Sequence, residues 1–201
     1  MKLRYSTTSP FVRKVLVMAI ETGLDGRIER ILTNPWAPDT DVGDDNPVGK
    51  VPVLITDDGV SLYDSPVILE YLDSLHGGAP RIPARGPARW TALRRQALAD
   101  GILDAAVTAR LETFQRPEPL RWPTWVARQK AAVARGLDAL EAEAATLSGL
   151  DTVGEIAIVC ALGYLDFRFP DEDWRVAHPR LAGWYTPLLT RPSVAATQPH
   201  D

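Results

Sequence analysis

The first third of the chain alternates short apolar runs with helical patterns. Runs that read as strands are residues 2–5, 27–32, 52–56 and 60–63. Apolar side chains recur at helical spacing from Pro10 to Glu21 and again from Pro66 to Leu75. Asp57-Asp58-Gly59 separates the last two strand runs and is typical of a hairpin turn. The order β-α-β, β-hairpin, α predicts a small α/β domain.

Strand signals disappear in the second half of the chain. Gly and Pro are frequent from residue 78 to residue 87, which is typical of a linker. Helical periodicity then covers residues 88–114, 124–147, 153–169 and 179–189. Thr152 and Glu155 form the capping-box pattern at the start of the third helix. We therefore predict an α/β domain over 1–77, a linker over 78–87 and an all-α domain over 88–201.

Composition narrows the possible partners. The 201 residues are 45% hydrophobic, enough to bury a core, and the formal net charge is −4. Basic residues are interspersed with acidic ones, which argues against a nucleic-acid partner. We expect Arg13-Lys14 and Arg94-Arg95 to lie on solvated helix faces. No apolar run approaches the roughly 18 residues of a membrane span, and the N-terminal segment lacks a signal-peptide core, so a cytoplasmic protein with no membrane partner is expected.

Cysteine and histidine usage points away from metal and triad chemistry. Cys160 is the single cysteine, so no internal disulfide can form, and its apolar surroundings predict a packing role in a helix. His76, His178 and His200 show no metal-ligand spacing and do not support a Ser-His-Asp relay. We expect no metal.

Two serine-proline pairs mark the predicted helix starts. In Ser9-Pro10 and Ser65-Pro66, a serine precedes a proline, which is typical of a helix N-cap followed by the first helical residue. The first turn of a helix has backbone N–H groups without helical partners and carries a positive partial charge. A hydroxyl at Ser9 could donate to a ligand thiolate and lower the pKa of the thiol. Asp64 and Ser65 could hold an ammonium and a carboxylate on one carbon, or could form an ordinary cap. Together they predict a site for a small acidic peptide.

Pro52 is unusual inside a strand because it cannot donate to a ladder. A cis Val51-Pro52 bond would turn the N–H and C=O of Val51 outward, where an extended ligand could pair with them. A trans proline on an edge strand, without a ligand, explains the same pattern.

Three segments together resemble the cytosolic glutathione S-transferase family. They are Thr8-Ser9-Pro10-Phe11-Val12-Arg13-Lys14-Val15, Asn46-Pro47-Val48-Gly49-Lys50-Val51-Pro52-Val53-Leu54 and Asp64-Ser65-Pro66-Val67-Ile68-Leu69-Glu70-Tyr71-Leu72. The segments 99–106 and 163–168 resemble a group of bacterial members. The resemblance spans the whole chain and implies a thioredoxin-like N-terminal domain, a linker and an all-α helical-bundle C-terminal domain.

The resemblance also implies a glutathione site. The residues implied in binding are Phe11, Lys50, Val51, Pro52, Asp64 and Ser65. Val51 would pair with the cysteinyl part, Asp64 and Ser65 would hold the γ-glutamyl end, and Lys50 could meet the glycyl carboxylate. Ser9 would face the sulfur as the catalytic residue, although a neighbouring Thr could take its place. Asp64 stands where many relatives have Glu, which is one methylene longer.

The residue at position 9 favours one chemistry. Relatives that reduce disulfides often carry Cys there, so Ser9 favours thiol activation for transfer to a small electrophile, in a homodimeric detoxification enzyme. The alternatives are a non-catalytic glutathione-binding protein, or glutathione-dependent disulfide or peroxide reduction. Tyr5, Thr8, Trp122 and Tyr164 are candidates for the second-substrate pocket.

Overall fold

The computed structural model describes all residues, 1–201. Its strands are Lys2–Tyr5 (β1), Glu29–Leu32 (β2), Val53–Ile55 (β3) and Ser61–Leu62 (β4). Its helices are Pro10–Glu21 (α1), Val42–Asp45 (α2), Ser65–Asp73 (α3), Gly86–Phe114 (α4), Pro123–Glu143 (α5), Val153–Arg168 (α6), Pro179–Leu188 (α7) and Pro192–Ala195 (α8). The chain divides into two compact units, residues 1–89 with 192–201, and residues 90–191.

The first unit contains one mixed sheet with the strand order β2-β1-β3-β4. β1 pairs in parallel with β2 and antiparallel with β3, and β3 and β4 form the predicted hairpin. Gly59 in the hairpin turn has φ of 84°, a conformation that glycine adopts without a steric penalty. α1 and α3 pack against each other, and the apolar side chains of Val12, Val15, Ala19, Ile68, Leu69 and Leu72 are fully buried. The predicted α/β architecture of this unit is confirmed.

Helix α2 lies in the acidic stretch 39–45, where the spacing of apolar residues predicts no helix. Arg4 on β1 binds Asp41 at 2.6 Å and also contacts Asp45. The hydrogen bond from Arg4 lowers the pKa of the Asp41 carboxyl. Because the ordering contact comes from a strand 37 residues earlier, local periodicity could not reveal it.

Arg13 and Lys14 are buried, so the prediction that they lie on a solvated helix face is wrong. Arg13 is 4% exposed, and Lys14 is fully buried. Nη2 of Arg13 donates to the carbonyl of Val194 at 3.1 Å, and Nε donates to Oγ1 of Thr197 at 3.4 Å. The C-terminal segment thus covers the polar side of α1, which explains why residues 192–201 group with the first unit and not with the helices before them.

The second unit is built from helices around α6. From Val153 to Leu165 every residue of α6 is buried, including Cys160, as an all-round apolar helix requires. The predicted capping box between Thr152 and Glu155 is present. Glu155 also accepts a hydrogen bond from Arg95 of α4 at 2.9 Å. Arg95 is buried, so the prediction that it lies on a solvated helix face is wrong.

The predicted domain boundaries at residues 77 and 88 stay predictions. The two compact units of the structure meet at residues 89 and 90, and the first unit also takes in the C-terminal residues.

A substitution at Gly154 tests how closely α6 packs on α4. A Cβ at this position would lie 2.8 Å from Cβ of Arg95 and 2.9 Å from the carbonyl oxygen of Ala92. We expect Gly154→Ala to lower the free energy of unfolding by about 1–3 kcal/mol through overpacking. Gly101→Ala, in α4 with open space around its Cβ, is the control and should be neutral or stabilising by about 0.5–1 kcal/mol. Urea denaturation measures both, and equal effects would contradict the proposed packing.

Candidate functional site

Ser9 caps α1, as the sequence predicts. Its backbone is extended, with φ of −77° and ψ of 119°, and its Oγ accepts a hydrogen bond from the N–H of Val12 at 3.3 Å. Pro10 follows at the first helical position, where its missing N–H costs nothing. Since the oxygen of Ser9 is the acceptor in this bond, its hydroxyl proton is left to donate elsewhere. Ser9 is partly exposed, so a ligand can reach it.

The Val51-Pro52 peptide bond is cis, as one of the two interpretations of the sequence requires. Val51 takes no part in the pairing of β3, which begins at Val53. Its main chain therefore lies just outside the sheet. Pro52 itself is buried.

Asn46 organises the loop that leads to Val51, a role that sequence analysis did not assign. Asn46 is 2% exposed. Its Nδ2 donates to the carbonyl of Lys50 at 2.9 Å, and its Oδ1 accepts from the N–H of Val48 at 3.2 Å. Gly49 completes the turn with φ of 66°. The Asn-Pro pair at 46–47 is a turn signal that could have identified this residue.

Ser65 does not cap α3, in contrast to the sequence prediction. The extended cap position belongs to Asp64, because the helical hydrogen bonds begin with the N–H of Ile68 donating to the carbonyl of Asp64 at 3.1 Å. The Asp64 side chain makes no capping bond and is exposed. Ser65 is the first helical residue and is 1% exposed, and its Oγ has no hydrogen-bond partner.

The sheet brings these three segments to one end. The first residue of β3 pairs with Arg4, near the end of β1, so the chain before β3 lies beside the chain after β1. The last residue of β4 pairs with Leu54 of β3, which places the chain after β4 at that end too. Ser9, Val51 and Ser65 therefore belong to segments that meet at the same end of the sheet. Two helix N-termini, which carry positive partial charge, start there.

The remaining predicted site residues, Lys50 and Phe11, are chain neighbours of the segments that meet there. Lys50 is exposed and precedes Val51, and Phe11 is partly exposed in the first turn of α1. Lys14 lies with its Nζ 5.8 Å from the centre of the Phe11 ring. Lys50 and Asp64, the two charged residues of the predicted site, are both exposed, so a ligand can reach their charged groups.

The helical unit contains an apolar pocket of about 300 Å³. Its walls come from α4, α5, the end of α6 and the loop that follows. The lining residues are Ala106, Ala109, Lys130, Val133, Ala134, Leu137, Leu165, Phe169, Glu172, Asp173, Trp174 and His178. Trp122 and Tyr164, two candidates for a second-substrate pocket, do not line it.

The structure contains neither a metal-binding cluster nor a membrane-spanning helix. No group of three or more His, Cys, Asp or Glu side chains is arranged to hold a metal ion. None of the helices combines the length and the apolarity that crossing a membrane requires.

Comparison with family models matches both units. Residues 8–75 match the glutathione S-transferase N-terminal domain, and residues 123–186 match the glutathione S-transferase C-terminal domain. The chain is 41% identical to the uncharacterized GST-like protein YibF of Escherichia coli K12, over 99% of this chain and 98% of that protein.

Solved structures agree with these matches. A glutathione transferase family member from Pseudomonas fluorescens Pf-5, with bound glutathione, is 45% identical with a TM-score of 0.92 over 100% of this chain and 99% of that one. The same protein is also solved with bound S-(propanoic acid)-glutathione. A glutathione S-transferase from Methylobacillus flagellatus KT, with glutathione bound, is 40% identical with a TM-score of 0.93 over 99% of each chain.

Asn46 provides a test of the loop before Val51. Asn46→Asp keeps the shape of the side chain but removes the donor to the Lys50 carbonyl, so we expect a loss of about 1–3 kcal/mol in the free energy of unfolding. Asn34→Asp is the control, because Oδ1 of the exposed Asn34 only accepts, from Trp36 N–H at 3.0 Å, and Asp can accept the same bond. Urea denaturation of both variants checks the prediction, and a loss at position 34 as large as at position 46 would contradict it.

Proposed function

This chain belongs to the glutathione S-transferase family, and we propose that its α/β unit binds glutathione and activates the bound thiol for transfer to a small electrophile. Glutathione is then the cosubstrate. The structures of relatives at 40% and 45% identity, each with glutathione bound, support the binding half of the proposal.

The observation that carries the proposal is the unpartnered hydroxyl of Ser65. A buried hydroxyl without a partner costs about 1–3 kcal/mol. Here it stands at the start of α3, where backbone N–H groups also lack helical partners. A carboxylate is the acceptor that satisfies the hydroxyl and the helix start together. The γ-glutamyl carboxylate of glutathione would take this place, with its ammonium on the exposed Asp64.

The positions of the neighbouring segments suggest contacts for the other parts of glutathione. Its cysteinyl amide would pair with the main chain of Val51 as an added strand, beside the cis Pro52. Its glycyl carboxylate would meet the exposed Lys50. Its sulfur would face Ser9, with the ring of Phe11 near by.

Ser9 would act on the thiol as a hydrogen-bond donor. Its oxygen already accepts from Val12, so its proton is directed away from the helix. A thiol has an ordinary pKa of about 8.5, and a donor at a helix N-terminus favours the thiolate. The thiolate is the nucleophile that attacks the electrophile, and Ser9 itself forms no covalent bond.

A short acidic chain on the sulfur is compatible with this site, since a relative at 45% identity is solved with S-(propanoic acid)-glutathione. The proposal includes a cytoplasmic homodimer with a detoxification role, as the family resemblance implies. Sedimentation should then give twice the 22.1 kDa mass of one chain, and a monomer would contradict the dimer.

Ser65→Ala tests the binding half. Because the buried hydroxyl has no partner in the structure, we expect the free energy of unfolding to stay the same or rise by about 1–3 kcal/mol, and glutathione affinity to fall about tenfold or more, typical of loss of a hydrogen bond to a charged group. Ser193→Ala is the control: Ser193 is equally buried but donates to Glu21 at 2.5 Å, so this variant should lose stability and keep its affinity. Calorimetry and thermal melts measure the two effects. Unchanged affinity in Ser65→Ala would contradict the assignment.

Ser9→Ala tests thiol activation. We expect the pKa of bound glutathione to rise by about one unit or more, and turnover at pH 7 to fall with the thiolate fraction, by up to about tenfold for each unit. Thiolate absorbance against pH measures the first, and a panel of halide, epoxide, peroxide and disulfide substrates measures the second. Ser9→Thr keeps the hydroxyl and should retain activity.

Two outcomes of this experiment would change the assignment. If Thr8→Val raises the thiol pKa and Ser9→Ala does not, the neighbouring threonine contacts the sulfur. Glutathione binding without turnover on any substrate would indicate a non-catalytic binding protein.

A further inference from the structure

The loop that carries Lys50 and Val51 starts from a helix that is too short to be stable alone. α2 has four residues, and Val42 is the one that is buried. An isolated helix of fewer than about 12 residues is marginal in water, so contacts from outside must hold α2 in place. Asn46 follows α2 directly, and its Nδ2 donates to the carbonyl of Lys50 at 2.9 Å. The loop up to Val51 is therefore built on the end of α2.

Arg4 of β1 binds both ends of α2. Its Nη1 and Nη2 donate to the two carboxylate oxygens of Asp41 at 2.6 and 3.0 Å, and its Nε donates to Asp45. Asp41 immediately precedes the helix, and Asp45 is its last residue. The side chain of Arg4 is 12% exposed, so these charge-assisted bonds are largely shielded from water. A planar guanidinium can bind two carboxylates at once in this way, whereas an ammonium group cannot match the same geometry.

Asp45 is bound from two strands. Its Oδ2 accepts from Arg4 of β1, and its Oδ1 accepts from Oγ of Ser61 of β4 at 3.4 Å. Both of these strands pair with β3, the strand that follows the loop. The loop 46–52 is thus anchored to the same sheet at both of its ends, at its start through Asp45 and at its end through β3 itself.

The charge of Arg4 is needed as well as its shape. The stretch 39–45 contains four aspartates, and Arg4 pairs with two of them. The hydrogen bond from Arg4 holds the pKa of Asp41 below its ordinary value, so this carboxylate is ionised at neutral pH. Asp41 and Asp45 are four positions apart, a spacing at which like charges destabilise a helix. Removal of Arg4 would therefore turn two anchors of α2 into a source of repulsion.

We propose that Arg4 is a positioning residue for glutathione: it holds α2 in place through Asp41 and Asp45, and so presents the main chain of Val51 to the ligand. The inference rests on the proposed glutathione binding. Ser65 lies on a separate segment and does not depend on Arg4. Without Arg4, α2 is in place for only a fraction of the time, and the dissociation constant of glutathione rises by the inverse of that fraction.

The first test is the affinity of the full chain for glutathione, measured by calorimetry. We expect Arg4→Leu to raise the dissociation constant about tenfold, and Arg4→Lys, which keeps the charge but not the fork, to raise it about threefold. Arg30→Leu is the matched control. Arg30 lies on β2 of the same sheet and pairs with Asp25 at 2.5 Å, away from α2, so its loss should change the dissociation constant less than about twofold.

Amide hydrogen exchange separates positioning from a general loss of stability. The N–H of Asn46 donates to the carbonyl of Val42 at 2.9 Å, and the N–H of Gly49 donates to that of Asn46 at 2.8 Å. We expect Arg4→Leu to speed exchange at these two amides about tenfold, and to leave the N–H of Ile68 in α3 unchanged. An equal increase at all three amides would overturn the inference.

Double variants test the route through Asp45. Arg4→Leu with Asp45→Asn should bind glutathione no more weakly than Arg4→Leu alone, because both changes remove the same contact. The fold losses of Arg4→Leu and Ser65→Ala should multiply, because the two residues act on different segments. The reverse pattern would contradict the proposed route.

The outcomes distinguish this inference from the binding proposal. A wild type that does not bind glutathione would overturn both. A wild type that binds while Arg4→Leu binds equally well would overturn the positioning role alone. Thermal melts show whether each variant is folded at the temperature of the assay. If Arg4→Leu is not folded, Asp41→Asn replaces it, because the Asp41 side chain is exposed; it should raise the dissociation constant about threefold, and an unchanged value would overturn the inference.

Discussion

The antiparallel pairing of β3 with both of its neighbours is the constraint on which the candidate site depends. This strand is only three residues long, yet its register against β1 and β4 decides which loops share an end of the sheet. A shift of one residue would turn the side chains of Val53 and Leu54, both fully buried, toward the opposite faces. Because both faces of this strand are buried, each of the two side chains is packed on its own face of the sheet, and the register brings the segments of Ser9, Val51 and Ser65 together.

Much of this arrangement could be predicted from the sequence because its signals are local. Helix α1 follows directly from apolar spacing and the Ser9-Pro10 cap, and the hairpin follows from its turn residues. Pro52 stands out in the sequence because proline lacks the N–H that a residue inside a strand donates. One of the two explanations required a cis Val51-Pro52 bond, and the structure has it. In each case the physical cause lies within a few residues of the signal.

The errors arise where the partner is distant in sequence. Arg13 looks like a solvated residue until a segment more than 180 positions later covers it. Arg95 is buried by Glu155 of another helix, and α2 depends on Arg4. The cap of α3 was misplaced by one residue because Asp64 and Ser65 both have good capping side chains, and only the backbone of Asp64 is extended.

That one-residue difference changes the chemical argument for Ser65. The side-chain oxygen of a cap residue accepts a hydrogen bond from its own helix, so a capping Ser65 would have only its hydroxyl proton to offer a ligand. As the first helical residue, it is buried with its oxygen unpartnered, which is a cost to the free protein that a ligand can remove. Ser9 shows the contrasting case, because its oxygen serves the helix and only its proton remains. The first serine can thus act on a sulfur as a single donor, whereas the second, with the helix start around it, suits a carboxylate.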